Sequence, residues 1–247
     1  MSVQSQVTDG VLIITLDRPE AGNSLNPEVG SGIVGAMTQA EADPDIRVIV
    51  VTGAGEKIFC AGMDLKAFAA GEDMAPVGKA LNMLRASKKP IIAAVNGAAV
   101  AGGFEVVMTC DLVVAVEHAK FGIPEVKRGL VAAGGGTRLP TRIPLQVALE
   151  MGLTGDPISA ARALGLGLIN RVVPAADLMA AALELAGRIT ANGPLAVQAT
   201  KQLMLEEMGA DISAHVLEVT RHVFASHDAI EGATAFAQKR PPVWTGS

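Results

Sequence analysis

Three short runs in the first half of the chain, Val48–Thr52, Ile91–Val95 and Leu112–Val116, are apolar at nearly every position. A strand with one wet face alternates apolar and polar residues, because successive side chains point to opposite faces. Runs without alternation need cover on both faces, as in a parallel sheet enclosed by helices. Between the first two, Met74–Ser87 carries Val77, Leu81 and Leu84 at helical spacing. Strands that alternate with helices in this way specify an α/β fold.

The flanking segments add detail. Val11–Leu16 (VLIITL) reads as a strand, Val3–Val7 alternates, and Asp9-Gly10 between them is a hairpin signal. Asn26-Pro27 has the form of an N-cap and first-turn proline opening a helix to about Ala42, although Gly30, Gly32 and Gly35 lie inside it. The pattern changes near Pro144. Val147, Leu149 and Met151 share one helix, Ser159 caps the next, and Leu168–Val173 is a further short strand. After Pro174 the reading is helical over Ala175–Thr190, Pro194–Met208, Asp211–Ala225 and Asp228–Gln238, and Asp228 and Glu231 have capping-box spacing.

Composition narrows the function. The 247 residues are 50% hydrophobic and 18% charged, with a net charge of -5, so a large core is available and the balance argues against a long disordered chain. No basic run supports nucleic-acid binding. Cys60 and Cys110 are the only cysteines, which points to a reducing compartment rather than a disulfide framework. His118, His215, His222 and His227 are scattered, with no CxxC or HExxH, so no metal site is expected. The opening MSVQSQVTDG lacks signal-peptide character, and the apolar stretch Ile91–Cys110 is broken by Asn96, glycines and Glu105. A soluble, cytoplasmic protein without a membrane segment is the expectation.

Individual motifs are weak. Gly53-Ala54-Gly55 follows a strand, but position 58 is Ile58, against a dinucleotide fingerprint. Gly134-Gly135-Gly136-Thr137 lacks the Lys-Ser/Thr of a P-loop and reads as a tight turn beside a ligand. Ser226-His227-Asp228 holds triad residue types, but adjacent residues point apart, so a helix start is the better reading. Phe59–Lys66 is a small-residue loop suited to close backbone approach. Asn96–Glu105 is a glycine-rich turn leading into a helix, whose free N–H groups could hold negative charge. Phe121-Gly122-Ile123-Pro124-Glu125 puts a second carboxylate 20 residues after Glu105.

Taken in order, these three segments resemble the signature of the crotonase (enoyl-CoA hydratase) superfamily: Ala-Gly-x-Asp, then Asn-Gly to Gly-Gly-x-Glu, then Phe-Gly-x-Pro-Glu. Arg18-Pro19 with Asn23, Gly134–Leu139, Leu153-Thr154-Gly155 and Lys239–Trp244 extend the resemblance over nearly the whole chain. It implies a ClpP/crotonase-like spiral of ββα units with a helical C-terminal region, here residues 1–190 for the core and site and 191–247 for trimerisation. It also implies homotrimers or hexamers (dimers of trimers).

The same resemblance implies an acyl-CoA substrate, no cofactor beyond the coenzyme A that the substrate carries, and reversible hydration of a 2-trans-enoyl-CoA in fatty-acid or related metabolism. Glu105 would activate water and Glu125 would move a proton. The backbone N–H groups of Met63 and Gly102 would form an oxyanion hole. Glu20, Ala21, Gly22, Ala61, Met63, Asp64, Leu65 and Lys66 fall at positions that contact coenzyme A or substrate, with Phe236 and Lys239 reaching a neighbouring subunit's coenzyme A. Alternatives are carnitinyl-CoA-type dehydration, enoyl-CoA isomerisation, or a non-catalytic acyl-CoA-binding protein. One departure is Ala98-Ala99 after Asn-Gly, where the family often has a bulky residue; it suggests a roomier pocket, as does the small-residue stretch Ala67–Pro76.

Overall fold

The structure is a computed structural model that describes residues 2–128, 130–206, 226–238 and 240–247. Its first sheet contains β1 (Val3–Thr8), β2 (Val11–Leu16), β3 (Val48–Gly53), β5 (Ile91–Val95), β7 (Leu112–Val116) and β10 (Arg171–Val173), side by side in that order. The β1–β2 pair is antiparallel, with Thr8 opposite Val11, and the turn places Asp9 and Gly10 at φ 48° and 75°. Two successive left-handed residues make the turn whose twist matches the strands it joins. Every other pairing in this sheet is parallel. The three apolar runs are its central strands, and β3 and β5 are buried at every residue.

The second sheet is smaller: β4 (Ile58–Cys60), β6 (Ala98–Val100) and β8 (Lys120–Gly122) run parallel, and β9 (Ile158–Ser159) closes the edge antiparallel. Each central strand of the first sheet thus continues into a short strand of the second and then into helical structure. This is the expected spiral of ββα turns. Strands of two or three residues show no periodicity, so the sequence pattern alone did not reveal the second sheet.

The helices are α1 (Pro27–Ala42), α2 (Leu65–Ala69), α3 (Ala75–Ala86), α4 (Gly102–Thr109), α5 (Leu145–Thr154), α6 (Ala160–Gly165), α7 (Leu178–Thr190), α8 (Pro194–Glu206) and α9 (His227–Gln238). Asn26 Oδ1 accepts from Val29 N at 2.9 Å, the N-cap expected there, and Ser159 caps α6 through Arg162 N. α7 lies across β3, β5 and β7, burying Leu178, Ala182 and Ala186. Burial of each large aliphatic side chain in this layer stabilises the fold by about 1.5–3 kcal/mol.

The glycines inside α1 have different reasons. A Cβ at Gly30 would lie 2.6 Å from Pro76 C and Val77 N, and one at Gly32 2.7 Å from Val3 Cβ. These two glycines let α1 close on α3 and β1. Gly35 is exposed and has no neighbour within 4 Å. Gly30→Ala is therefore expected to destabilise by about 1–3 kcal/mol through overpacking. Gly35→Ala should stabilise by about 0.5–1 kcal/mol, since it only relieves the entropic cost of a mid-helix glycine. Urea denaturation of the two variants checks both signs.

Three expectations are corrected. The strand in Leu168–Val173 is confined to Arg171–Val173. The helix over Ala175–Thr190 starts with a 3₁₀ turn, Ala175–Asp177. Asp228 and Glu231 do not form a capping box: the returning chain end offers them better donors than the helix does. Asp228 accepts from Thr245 N (2.7 Å) and Gly246 N (2.9 Å), and Glu231 takes both Arg240 guanidinium nitrogens (2.6 and 2.9 Å) with Val243 N (2.7 Å). The Asp211–Ala225 helix, His215, His222 and Lys239 lie outside the described residues, as do the last two residues of the Pro194–Met208 helix.

Candidate active site

The site begins at the end of β4. Gly62 adopts φ 95°, and a Cβ there would meet Ala101 Cβ at 2.8 Å and Gly102 N at 2.9 Å, so only glycine lets the two segments approach. Met63 makes a parallel bridge with Leu25: Leu25 N donates to Gly62 O (2.8 Å) and Asp64 N to Leu25 O (3.0 Å). That pairing uses the groups on either side of Met63 and turns its own N–H away from Leu25. Gly102 opens α4, where the first N–H groups have no intrahelical acceptor. Among the described residues no acceptor takes the N–H of Met63 or Gly102. The carbonyl–helix turn between them is strained: Ala101 sits at φ 51° and ψ −132°.

One turn into α4, Glu105 is buried, with 6% exposure. Its Oε1 accepts from Gly136 N at 2.9 Å. A Cβ on Gly134 would lie 2.3 Å from its Oε2. The run Gly134–Gly136, expected to be a tight turn beside a ligand, instead wraps a carboxylate of the protein itself.

Glu125 reaches the same cavity from the 3₁₀ turn Pro124–Arg128 that follows β8. Its Oε2 is buried and has no hydrogen-bond partner among the described residues. Burial pushes its carboxyl above the usual carboxylate range, its own backbone N–H opposes this, and the Glu105 charge adds to the rise. The two carrier elements are locked by a tilted Phe104–Phe121 ring pair, 5.8 Å between centroids.

The raised Glu125 value has a stability consequence. A carboxyl whose folded pKa exceeds its unfolded one contributes fully below the unfolded value, and that contribution is lost as pH rises through the folded value. Gln mimics the neutral form. Glu125→Gln should therefore match the parent's stability near pH 4 and exceed it increasingly toward neutral pH; thermal unfolding across pH 4–8 measures the gap. An equal gap at every pH would show that packing, not charge, is responsible.

Around these groups is a cavity of about 400 Å³. Of the expected site residues, Ala61, Met63, Leu65, Gly102, Glu105 and Glu125 line it, together with Val100, Ala101 and Pro124 from the same motifs and with Lys127, Leu130 and Val131, which were not assigned to the site. Lys127, Leu130 and Val131 follow the second glutamate's motif within a few residues, and that adjacency was the sequence signal for them. Ala98 and Ala99 belong to β6, and neither they nor Ala67–Pro76 are among the residues that line this wall. A larger apolar cavity, about 530 Å³, lies beneath α8, but its one acid, Asp111, is paired with Lys201 at 2.7 Å.

The other expected site residues among those described do not line this wall. Glu20 and Ala21 form a 3₁₀ turn ending at Gly22, whose carbonyl accepts from Ala61 N at 2.9 Å. Asp64 caps α2 through Lys66 N and Ala67 N and pairs with Arg18 at 3.1 Å. Burial opposes its charge, but Ala67 N–H, the Arg18 guanidinium and Lys66 N–H outweigh it and hold the carboxyl below the usual range. Lys66 is exposed on α2. Phe236 falls within α9. Asn23 and Asn96, buried with satisfied amides, both donate to Ile58 O and fasten the loop that enters β4.

With this geometry, comparison with known proteins is decisive at family level. The enoyl-CoA hydratase/isomerase family model matches residues 6–247. A carnitinyl-CoA dehydratase of Salmonella typhi is 43% identical over 249 residues, covering 96% of this chain and 95% of the relative. An enoyl-CoA hydratase structure from Mycobacterium tuberculosis H37Rv superposes with a TM-score of 0.94 at 47% identity, covering 100% of this chain and 99% of that one. A carnitinyl-CoA hydratase structure from Mycobacterium avium gives 0.80 at 44%, with the same coverage. The chain, with its two sheets, its ββα spiral and its paired glutamates on one cavity, belongs to the enoyl-CoA hydratase/isomerase family of the crotonase superfamily and is an enzyme of the lyase class.

Proposed function

We propose that this enzyme reversibly hydrates a 2-trans-enoyl-CoA to the 3-hydroxyacyl-CoA, in fatty-acid or related acyl-CoA metabolism. The observation that carries the reading is the convergence of Glu105 and Glu125 on one cavity beside two backbone N–H groups that have no acceptor among the described residues. The thioester oxygen accepts from Met63 and Gly102. Glu105 takes a proton from water as the oxygen bonds to C3. The electron pair of the double bond moves to the thioester, giving an enolate held by the two donors. Glu125, whose raised pKa suits it to carry a proton, delivers that proton to C2. Exchange with solvent returns both carboxyls to their starting states, and dehydration runs the steps backwards. No cofactor is needed beyond the coenzyme A of the substrate.

Carnitinyl-CoA dehydration is the second reading, because carnitinyl-CoA dehydratases are among the similar proteins. Its substrate carries a quaternary ammonium, which aromatic faces or acids would hold. The described lining offers no aromatic ring and no acid besides the two glutamates, and Val100, Leu130 and Val131 suit hydrocarbon. A spectrophotometric panel of short, long and branched enoyl-CoAs plus carnitinyl-CoA separates the readings. Turnover of carnitinyl-CoA far above every enoyl-CoA would sink the first. Turnover of 3-enoyl-CoA to 2-enoyl-CoA without hydroxyacyl product would favour isomerisation, and tight binding with no turnover a binding protein. Assembly as a homotrimer or hexamer belongs to the same proposal. The exposed Met204 and Leu205 of α8 support it, and sedimentation velocity tests it.

A further inference from the structure

We infer that Arg85 is a positioning residue for Glu105, acting through the Gly134–Gly136 loop; the proposal rests on the hydratase reading of Glu105. Arg85 stands in the last turn of α3, and its Nη2 donates to Gly134 O at 2.7 Å. That carbonyl belongs to the peptide joining Gly134 to Gly135. The next peptide carries Gly136 N–H, which donates to Glu105 Oε1 at 2.9 Å. Only Gly135 separates the peptide that Arg85 holds from the peptide that holds the carboxylate.

Gly135 is at φ 145°, a conformation L side chains rarely adopt, and three successive glycines give the loop no intrinsic stiffness. Bonds within the loop, such as Arg138 N to Gly135 O at 3.0 Å, leave the Gly134 carbonyl to be fixed from outside by Arg85. The guanidinium suits this role because it is a permanently charged, planar donor that holds a carbonyl in a fixed direction. It lines a cavity of about 300 Å³ with Arg138, Arg142 and Asp111, and Asp111 is already engaged by Lys201 at 2.7 Å. Among the described residues Arg85 has no carboxylate partner. A Cβ on Gly135 would come within 3.1 Å of Arg85 Nη2, so the loop is shaped to receive it. Releasing Gly134 O frees two torsions at once, those on either side of the Gly134–Gly135 peptide, and the Gly136 N–H loses its aim. The carboxylate then drifts from the water it must activate.

The test is Arg85→Met, which keeps the stem and removes the donors, with Arg85→Lys as the conservative variant and Arg138→Met as a control on the same cavity. Arg85→Met should lower kcat on the best enoyl-CoA of the panel by about 10- to 100-fold, the scale of a sub-ångström to ångström misplacement of a catalytic group, with KM little changed. Arg85→Lys should recover most of the loss, and Arg138→Met should match the parent. In a Glu105→Gln background Arg85→Met should add nothing, because the two act as one unit. Hydrogen exchange of the peptide containing Gly134–Gly136 should accelerate in Arg85→Met, whatever the substrate proves to be. Parent-like kcat and exchange in Arg85→Met, or an undiminished loss in the Glu105→Gln background, overturns the proposal. A parent enzyme inactive on every acyl-CoA, with faster exchange in Arg85→Met, instead overturns the hydratase reading and leaves the clamp standing.

Discussion

Glu125→Gln is expected to lower turnover by about 10² to 10⁴-fold, the usual contribution of a positioned acid or base, while acyl-CoA binding survives. Gln keeps the shape of the side chain, so the cavity wall formed with Pro124, Lys127 and Leu130 remains. What is lost, on the proposed mechanism, is the carboxyl assigned to hand a proton to C2. Its buried Oε2, without a hydrogen-bond partner among the described residues, is consistent with that assignment, since most buried polar atoms are paired. Calorimetric titration with a saturated acyl-CoA and a stopped-flow assay on the preferred substrate separate binding from chemistry. Hydration at near-parental rate would remove Glu125 from the mechanism. A loss of binding equal to the loss of rate would reassign it to the pocket wall.

Gly62→Ala is expected to reduce turnover by about 10² to 10³-fold, as removal of one oxyanion donor does elsewhere, although it deletes no polar group. The new methyl would stand 2.9 Å from Gly102 N and 2.8 Å from Ala101 Cβ, with the backbone at φ 95°. Either the methyl shields the Gly102 N–H, or β4 and α4 separate and the two N–H groups no longer converge. Both outcomes damage the transition state more than substrate binding, so kcat should fall further than KM rises. The strained backbone adds a stability cost of about 1–3 kcal/mol. Kinetics below the variant's melting temperature distinguish the two effects. Normal kcat in a folded Gly62→Ala protein would mean that Met63 and Gly102 do not act as a donor pair.

Much of this architecture could be read in the chain. The unbroken apolar runs announced a doubly covered parallel sheet, because exclusion of water from both faces leaves no position for polar side chains. Asp9-Gly10 announced its hairpin and Asn26-Pro27 its helix start, since each is a local backbone preference that needs no distant partner. The order of three glycine-bearing segments carried the resemblance that named the family and both glutamates.

Other features depended on contacts across the fold. Asp228 and Glu231 looked like a local cap, but a chain end more than ten residues away supplies their donors. Asp64, an expected contact of coenzyme A or substrate, also caps α2 and pairs with Arg18, 46 positions earlier, which the order of residues does not show. Gly134 and Gly136 pointed to a turn; only the fold brings Glu105, some 30 residues before them, into their grasp.

The sequence by itself determined the larger sheet and most helices, because periodicity and turn chemistry act over short stretches of chain, while the two acids were singled out by the family resemblance. The tertiary structure alone decided which N–H groups stay unpaired, which carboxylate lacks a partner and which arginine holds the loop behind Glu105. Those are properties of distance and burial, and a linear order of residues contains neither.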